Sequence, residues 1–456
     1  MRPWQSVNNL LTNARLLTLL LASVLAAPTQ AALSLEEAVV MAQHNDPWLA
    51  GSEYRQAALA AQRTVAGTLP DPVVSVGLVN MPSDSFEFDQ EAMTQFKVGV
   101  SQLFPRGDSR ALNQKRLSQL GAQHPLQREE RLARVALSAA HLWLEAFRAQ
   151  QTIQLIQRDR ALFEQLVDVA QSSYASAMGR TRQQDLVRAQ LELTRLDDRL
   201  AVLQQQRETS LASLGEWLYS DPAGPTQFGA GLQADVRLAP DLPPLQLSRP
   251  ELYHPSAPIS SSQMAQALRR HPALLGLDRK IAAGETTVEL AEQKYKPQWS
   301  VNASYGYRED EPGGDDRADF FSVGVAFDLP LFTSRRQDQQ VQAALAGSAA
   351  LRTEKALLLR RMVAAYAAQY RKLQRLEQRS SLYQSRLLRE MQEQTEASLS
   401  AYTADDGDFS EVVRARIDAL NARLDAFDIE VDRLKTVAQM NYFLVTSAAS
   451  EAGDAL

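Results

Sequence analysis

No cysteine occurs among the 456 residues. That excludes a disulfide framework, a thiolate metal centre and a lipid-accepting cysteine near the amino terminus. Long apolar runs are equally scarce. One stretch, Leu16 to Ala27, is mostly apolar, but at about a dozen residues it falls short of the roughly twenty that a membrane-spanning helix needs. No other stretch approaches that length, so crossing a bilayer with helices is excluded. An excess of positive charge is also missing. The 48 basic and 54 acidic residues leave a formal net charge of −6, which argues against a nucleic-acid partner. No phosphate-cradling glycine loop, HExxH or GxSxG is present, which argues against an enzyme. The five histidines, His44, His124, His141, His254 and His271, stand at spacings that suggest no ligand pairs, and the nine methionines form no cluster. No metal site and no cofactor is expected.

What is present begins with an address label. Arg2 and Arg15 precede the apolar run, and Pro28, Thr29, Gln30 and Ala31 follow it. A charged start, a short apolar core and a small-residue exit predict a secretory signal peptide over residues 1–31, cleaved after Ala31. Removal of its two arginines takes the net charge from −6 to −8. An exported chain with neither a lipid-accepting cysteine nor a spanning helix must hold a membrane, if it does, by its folded structure. A β-barrel is the remaining way across.

The sequence repeats itself at an offset of 225 residues. Pro47 pairs with Pro272, Gly51 with Gly276, Pro72 with Pro297, Ser75 with Ser300, Phe96 with Phe321, Pro105 with Pro330 and Arg110 with Arg335. Val98-Gly99-Val100 matches Val323-Gly324-Val325 in the same ungapped register. This period is far too long for a solenoid, whose units cycle at about 20 to 50 residues, so the chain is a tandem duplication. The first repeat is expected over 32–220 and the second over 261–448. Between them, residues 221–260 carry eight prolines and read as an extended connector.

Each repeat opens with an Ala- and Gln-rich helical pattern, about 35–68 and 263–294, closed by proline. Strict alternation follows. Val74, Val76 and Leu78 alternate with Ser75 and Gly77, and Trp299, Val301, Ala303, Tyr305 and Tyr307 with Ser300, Asn302, Ser304 and Gly306. After a polar loop it returns: Phe96, Val98 and Val100 against Lys97, Gly99 and Ser101, then Phe321, Val323, Val325 and Phe327 against Ser322, Gly324 and Ala326. Period two with one apolar face predicts strands at about 73–79, 95–103, 298–307 and 320–329. Helical patterns then run over about 110–218 and 335–445. Seventy residues of helix would reach roughly 100 Å. Leu193, Leu196, Leu200 and Leu203, and Ile417, Leu420, Leu424, Phe427, Val431 and Leu434, form coiled-coil seams.

Apolar outward sets with aromatics, small or polar inward sets and an export signal together describe membrane strands. Four strands cannot close a barrel, and an open edge in lipid would leave backbone groups unsatisfied at several kcal/mol each. Several copies must therefore share one barrel, and three would give twelve strands. The pleat then puts Ser75, Gly77, Lys97, Gly99, Ser300, Asn302, Ser322 and Gly324 on the lumen and Trp299, Phe96 and Phe321 toward lipid.

Over essentially its whole mature length the chain resembles the TolC-type outer membrane factor family. The resemblance is carried by the helix, strand, strand, helix, helix order, by Leu69-Pro70-Asp71-Pro72 and by Met93-Thr94-Gln95 through Ser101-Gln102-Leu103-Phe104-Pro105-Arg106-Gly107. The last segment is similar to members encoded beside heavy-metal pumps of the resistance-nodulation-division class. The resemblance implies a mainly α fold with membrane β: a homotrimer with a twelve-stranded barrel in outer-membrane lipid and an α-helical barrel through the periplasm. A periplasmic adaptor and an inner-membrane pump would engage its closed tip. The implied function is passive efflux, of heavy-metal cations or, in the same fold, of drugs or secreted proteins. A soluble periplasmic coiled-coil scaffold is the competing reading from another class. Family members close the tip with acidic rings. Asp185 and Glu411 match one acidic position of that motif, whereas Arg188 and Arg414 stand where some relatives carry a second acid. Asp405, Asp406 and Asp408 either add to an acidic mouth or form a solvated turn. Glu411 and Arg414 are also spaced for an ordinary intrahelical pair.

Overall fold

The computed structural model describes residues 32–175, 183–218, 236–255, 260–311, 313–314, 316–404 and 406–447. The expected signal peptide lies outside the described residues.

Each repeat opens with two helices rather than the single one expected. Helix α1 (Leu35–His44) is followed by α2 (Pro47–Gly67). In the second repeat, α6 (Ser261–Leu268) is followed by α7 (Pro272–Glu292). Proline disfavours helical geometry at the residue before it and is well suited to the first helical position, so Pro47 and Pro272 end one helix and begin the next. Capping boxes fix both starts: Ser34 and Glu37, and Ser260 and Gln263, exchange side-chain and backbone hydrogen bonds.

The first repeat continues through β1 (Val73–Val79), β2 (Gln95–Phe104), α3 (Ser109–Gly121), α4 (Gln123–Ala175) and α5 (Gln183–Leu218). The second continues through β3 (Trp299–Tyr307), β4 (Phe320–Phe327) and α8 (Gln337–Leu382). A π-helical turn over Tyr383–Leu387 joins α8 to α9 (Leu388–Thr403), and α10 (Phe409–Phe443) returns. Strand β4 stops before the expected residue 329, since Pro330 has no N–H to donate and Leu331 N–H turns back to the Leu329 carbonyl at 2.9 Å. The connector is described only over 236–255. There it is not wholly extended: Pro250–Leu252 form a 3-10 turn, and Leu238 bridges to Leu33 in parallel.

The chain divides into two compact units. The first comprises residues up to 46, 135–247 and 371–439. Its core is built on the leucine seams. Leu196, Leu420 and Leu424 pack with Ile156 and Phe163 in one cluster, while Val431 and Leu434 join Trp143, Phe147 and Leu214 in another. Burying each such side chain contributes roughly 1.5–3 kcal/mol, far more than helix propensity does. The Trp143 and Phe147 rings stack at 5.0 Å, and Trp143 Nε1 donates to the Leu33 carbonyl at 3.0 Å. The buried carboxylate of Asp159 is paired with Arg423.

The second unit comprises residues 47–134, 248–370 and those from 440 onward. It contains the sheet and a part-buried polar cluster. Tyr442 donates its hydroxyl to Glu130 Oε1 at 2.8 Å, and Arg134 Nη2 donates to the same oxygen at 2.6 Å. Burial, then the bond to Glu130, pushes the Tyr442 pKa up to about 12. His271 is fully buried beneath the Tyr442 ring. Its Nδ1 accepts from Ala273 N–H at 3.2 Å and caps α7, which leaves Nε2 as the donor to the Tyr442 carbonyl at 3.2 Å. Burial holds its pKa below the ordinary imidazole value.

Candidate functional site

Two places in the chain concentrate the residues that sequence marks out: the sheet, in the second unit, and the helix turns that begin α5 and α10, in the first.

The sheet is antiparallel throughout, in the order β1-β2-β3-β4. Residues directly opposite one another in such pairs share a face. One face carries the rows Val74, Val100, Ala303 and Val323; Val76, Val98, Tyr305 and Phe321; and Leu78, Phe96 and Tyr307. Its last row, Phe104, Trp299 and Phe327, is aromatic, with the Trp299 and Phe327 rings 4.7 Å apart. The other face carries Ser75, Gly99, Ser304 and Ser322; Gly77, Lys97 and Gly306; and Ser101, Asn302 and Gly324. All eight residues expected on the lumen therefore lie on this one face, Ser300 among them opposite Leu103.

The sequence pattern missed five side chains. Val73, Val79, Leu103 and Phe320 join the small face and Gln102 joins the apolar one, because the pleat continues past the stretch where composition alternates. The small face is thin by necessity at Gly99, where a Cβ would stand 2.8 Å from Ser75 Oγ, whereas at Gly77 it would meet nothing within 4 Å. Large apolar side chains are exposed along the other face, Phe321 by 73% and Val323 by 63%. Among the described residues β1 pairs only with β2 and β4 only with β3, so both outer edges are unpaired within the chain.

The β2–β3 junction joins the two repeats, and polar clasps tie it at each end. At the helix end Arg106 pairs with Asp328 and donates to the Lys296 carbonyl at 2.7 Å, while Asp328 accepts from Gln298 N–H at 2.7 Å. At the loop end Arg308 donates to the carbonyls of Ala92 at 3.0 Å and Ala318 at 2.9 Å, and Arg317 to that of Asp89 at 3.2 Å.

At the turns, Asp185 and Glu411 occupy the same place, the third residue of α5 and of α10. A carboxylate in a first turn interacts favourably with the helix dipole. Arg188 and Arg414 follow three residues later, both exposed, and neither makes an ion pair among the described residues. The intrahelical Glu411–Arg414 pair that the spacing allows does not form. Asp408 precedes α10, with its carbonyl accepting from Glu411 N–H at 3.0 Å, and Asp406 N–H donates to the Ala401 carbonyl at 3.0 Å. Asp405 lies outside the described residues.

The sequence reading overlooked what holds this turn together. Phe409 is buried against Tyr402 with rings 5.6 Å apart, and Gly407 passes so close to α9 that a Cβ would lie 2.9 Å from Tyr402 N. The Asp406-Gly407 dipeptide was the available signal for a tight turn.

No protein-family model and no curated protein matches this sequence. Solved structures do match. The outer-membrane channel OprN aligns at a TM-score of 0.72 and 16% identity, over 91% of this chain and 90% of its own. CusC, described in terms of folding and transmembrane channel formation, aligns at 0.70 and 14%, over 91% and 92%. The outer membrane protein VceC of Vibrio cholerae aligns at 0.72 and 13%, over 91% and 96%. The chain has the fold of these outer-membrane channel proteins.

Proposed function

We propose that the chain is the outer-membrane exit duct of a tripartite efflux system. Three copies close a twelve-stranded barrel in outer-membrane lipid, with the helices forming a periplasmic duct that meets an adaptor and an inner-membrane pump. The observation that carries this reading is the sheet: four strands in one register, one face apolar and the other small or polar, with two unpaired edges. Such a sheet satisfies its backbone in lipid only when its edges meet those of further copies. In this reading Ser75, Gly77, Lys97, Gly99, Ser300, Asn302, Ser322 and Gly324 line the lumen. Asp185, Glu411 and Asp408, with Asp405 and Asp406, edge the periplasmic entrance, and Arg188 and Arg414 form a mixed lock with carboxylates on neighbouring helices. Transport is passive, so the duct needs neither catalytic residues nor a cofactor.

The finer reading is efflux of heavy-metal cations, as cargo that the duct passes without holding. It rests on the similarity of the segment Met93 to Gly107 to members encoded beside heavy-metal pumps. The test is fractionation and bilayer recording. A detergent-dependent trimer in the outer membrane with single-channel conductance is expected, whereas a chain soluble without detergent would identify a periplasmic scaffold. Loss of the gene should sensitise cells to divalent transition metals. Sensitivity to drugs alone would assign the duct to a multidrug system.

A further inference from the structure

Past the last aromatic row of the sheet, the chain turns from β4 into α8 at a corner that leaves large apolar side chains exposed. Leu329, Leu331 and Phe332 are 62%, 72% and 91% exposed, and the last figure is the highest of any large apolar side chain among the described residues. Arg335 and Arg336 follow at once, both exposed and with no ion pair among the described residues. The repeat supplies an internal comparison. At the same place in the first repeat, 225 residues earlier, stand Arg106 where the second has Leu331 and Gly107 where it has Phe332. There Arg106 is committed to Asp328, and Asp108 is paired with Lys296 at 3.2 Å. One corner is tied off by its own charges, and the other presents bare apolar groups beside two unspent guanidinium groups.

The length of the apolar face says what this corner meets. From the row of Phe96 to the row of Phe104 is eight residues of β2. At about 3.4 Å per residue that is roughly 27 Å along the strand, and about 21 Å across the membrane at a tilt near 40°. The apolar band of membrane barrels is about 25 Å tall. The missing few ångströms lie on the helix side, where Leu329, Leu331 and Phe332 continue the apolar surface.

The geometry points to a binding site for the headgroup of an anionic phospholipid at this corner, in the leaflet on the helix side. Leu331 and Phe332 enter the acyl boundary, and Arg335 and Arg336 hold the phosphate above them. Guanidinium groups suit this role because their paired N–H donors match phosphate oxygens and their stems lie along apolar surface. The inference rests on the proposed membrane reading of the sheet.

Because the chain has no cysteine, single-cysteine variants of the full protein report cleanly. Phe332→Cys, Asp108→Cys at the first corner and Val323→Cys on the apolar face are each labelled with an environment-sensitive fluorophore. The trimers are then placed in vesicles of phosphatidylethanolamine and phosphatidylglycerol carrying spin-labelled lipid. Quenching is expected at 332 by shallow labels and at 323 by deep labels, with none at 108. The double variant Arg335→Gln with Arg336→Gln should lose preference for phosphatidylglycerol over phosphatidylcholine by about fivefold per arginine, and inorganic phosphate should not compete. Quenching at 323 without quenching at 332 would overturn this inference alone. So would cross-linking of 332 to a neighbouring copy, or competition by inorganic phosphate. Absence of quenching at 323 would instead overturn the membrane reading on which it stands.

Discussion

The first repeat places Asp46, Arg106 and Gly107 where the second places His271, Leu331 and Phe332, yet the strands between keep Val98-Gly99-Val100 as Val323-Gly324-Val325. Duplication has thus preserved the alternation of the sheet while the caps and corners diverged. The reason is physical. A strand residue that changes character breaks a face shared by four strands, because directly opposed positions lie in one row. A corner or a cap answers only to its own few partners.

The largest effect should come from attacking what the repeats share. Val98→Arg and Val323→Arg occupy the same position of the two repeats on the apolar face, one row apart near its middle. Each should cost about 2–4 kcal/mol, the usual penalty for arginine near the bilayer midplane. Gly77→Glu, on the small face with open space at its Cβ and Lys97 directly opposite, should cost almost nothing. Urea unfolding of vesicle-reconstituted protein reads the difference. Equal costs at Val323 and Gly77 would mean that the two faces do not meet different media.

The strands were legible in the sequence because alternation is local: Val74 to Leu78 declares its two faces with no knowledge of a partner. The breaks at Pro47 and Pro272 were legible too, from the proline rules, but were read through as continuous helix. Pairing between the repeats was beyond reach, since β2 meets β3 across some two hundred residues, and no local pattern says that Leu103 stands opposite Ser300 and Gln102 opposite Val301. In the cluster of Glu130, Arg134, His271 and Tyr442, only the i,i+4 spacing of Glu130 and Arg134 was legible, because His271 and Tyr442 reach them from far along the chain. At the α10 turn the acids drew attention, while Gly407 and Phe409, which shape the turn, did not.

The caps offer a second contrast. His271 accepts a backbone hydrogen bond through an unprotonated Nδ1, and burial keeps its pKa below the ordinary 6.5. In the unfolded chain it takes up a proton near pH 6.5. As pH falls below that value the unfolded state therefore binds more protons than the folded one, and stability is lost at up to about 1.4 kcal/mol per pH unit until the folded pKa is reached. His141 is shifted in the same direction, again mainly by burial, and adds to the slope. Above pH 6.5 neither contributes. His271→Asn keeps a capping acceptor without the titration, so its melting temperature should fall less between pH 7 and pH 5 than that of the parent. An unchanged slope would show that His271 is not a source of the acid sensitivity.

A smaller effect should separate the corners. Arg106→Ala removes the partner of Asp328 and a donor to the Lys296 carbonyl, and should lower the melting temperature by about two degrees. Leu331→Ala trims an exposed side chain with no charged partner and should leave the detergent-solubilised protein unchanged. Equal losses would erase the distinction between a corner that is tied and one that is open.

The smallest effect on the isolated chain is expected where the two repeats agree again, at Arg188 and Arg414. Each lies three residues beyond a first-turn carboxylate, and neither makes an ion pair among the described residues. Replacing both with alanine should therefore leave monomer stability untouched. Contacts between copies are another matter. Exposed ion pairs are worth about 0 to 1 kcal/mol each, so one lost pair would scarcely register. Three-fold symmetry repeats every pair three times, and changing both arginines doubles the number again, which brings the sum into the range that shifts a closed entrance toward open. Single-channel conductance of Arg188→Ala combined with Arg414→Ala should therefore rise while either single variant stays near the parent. Parental conductance in the double variant, with normal trimer levels, would show that the arginines do not lock the entrance. A gain in conductance confined to one single variant would show that the two repeats, alike in sequence here, do unequal work at the entrance.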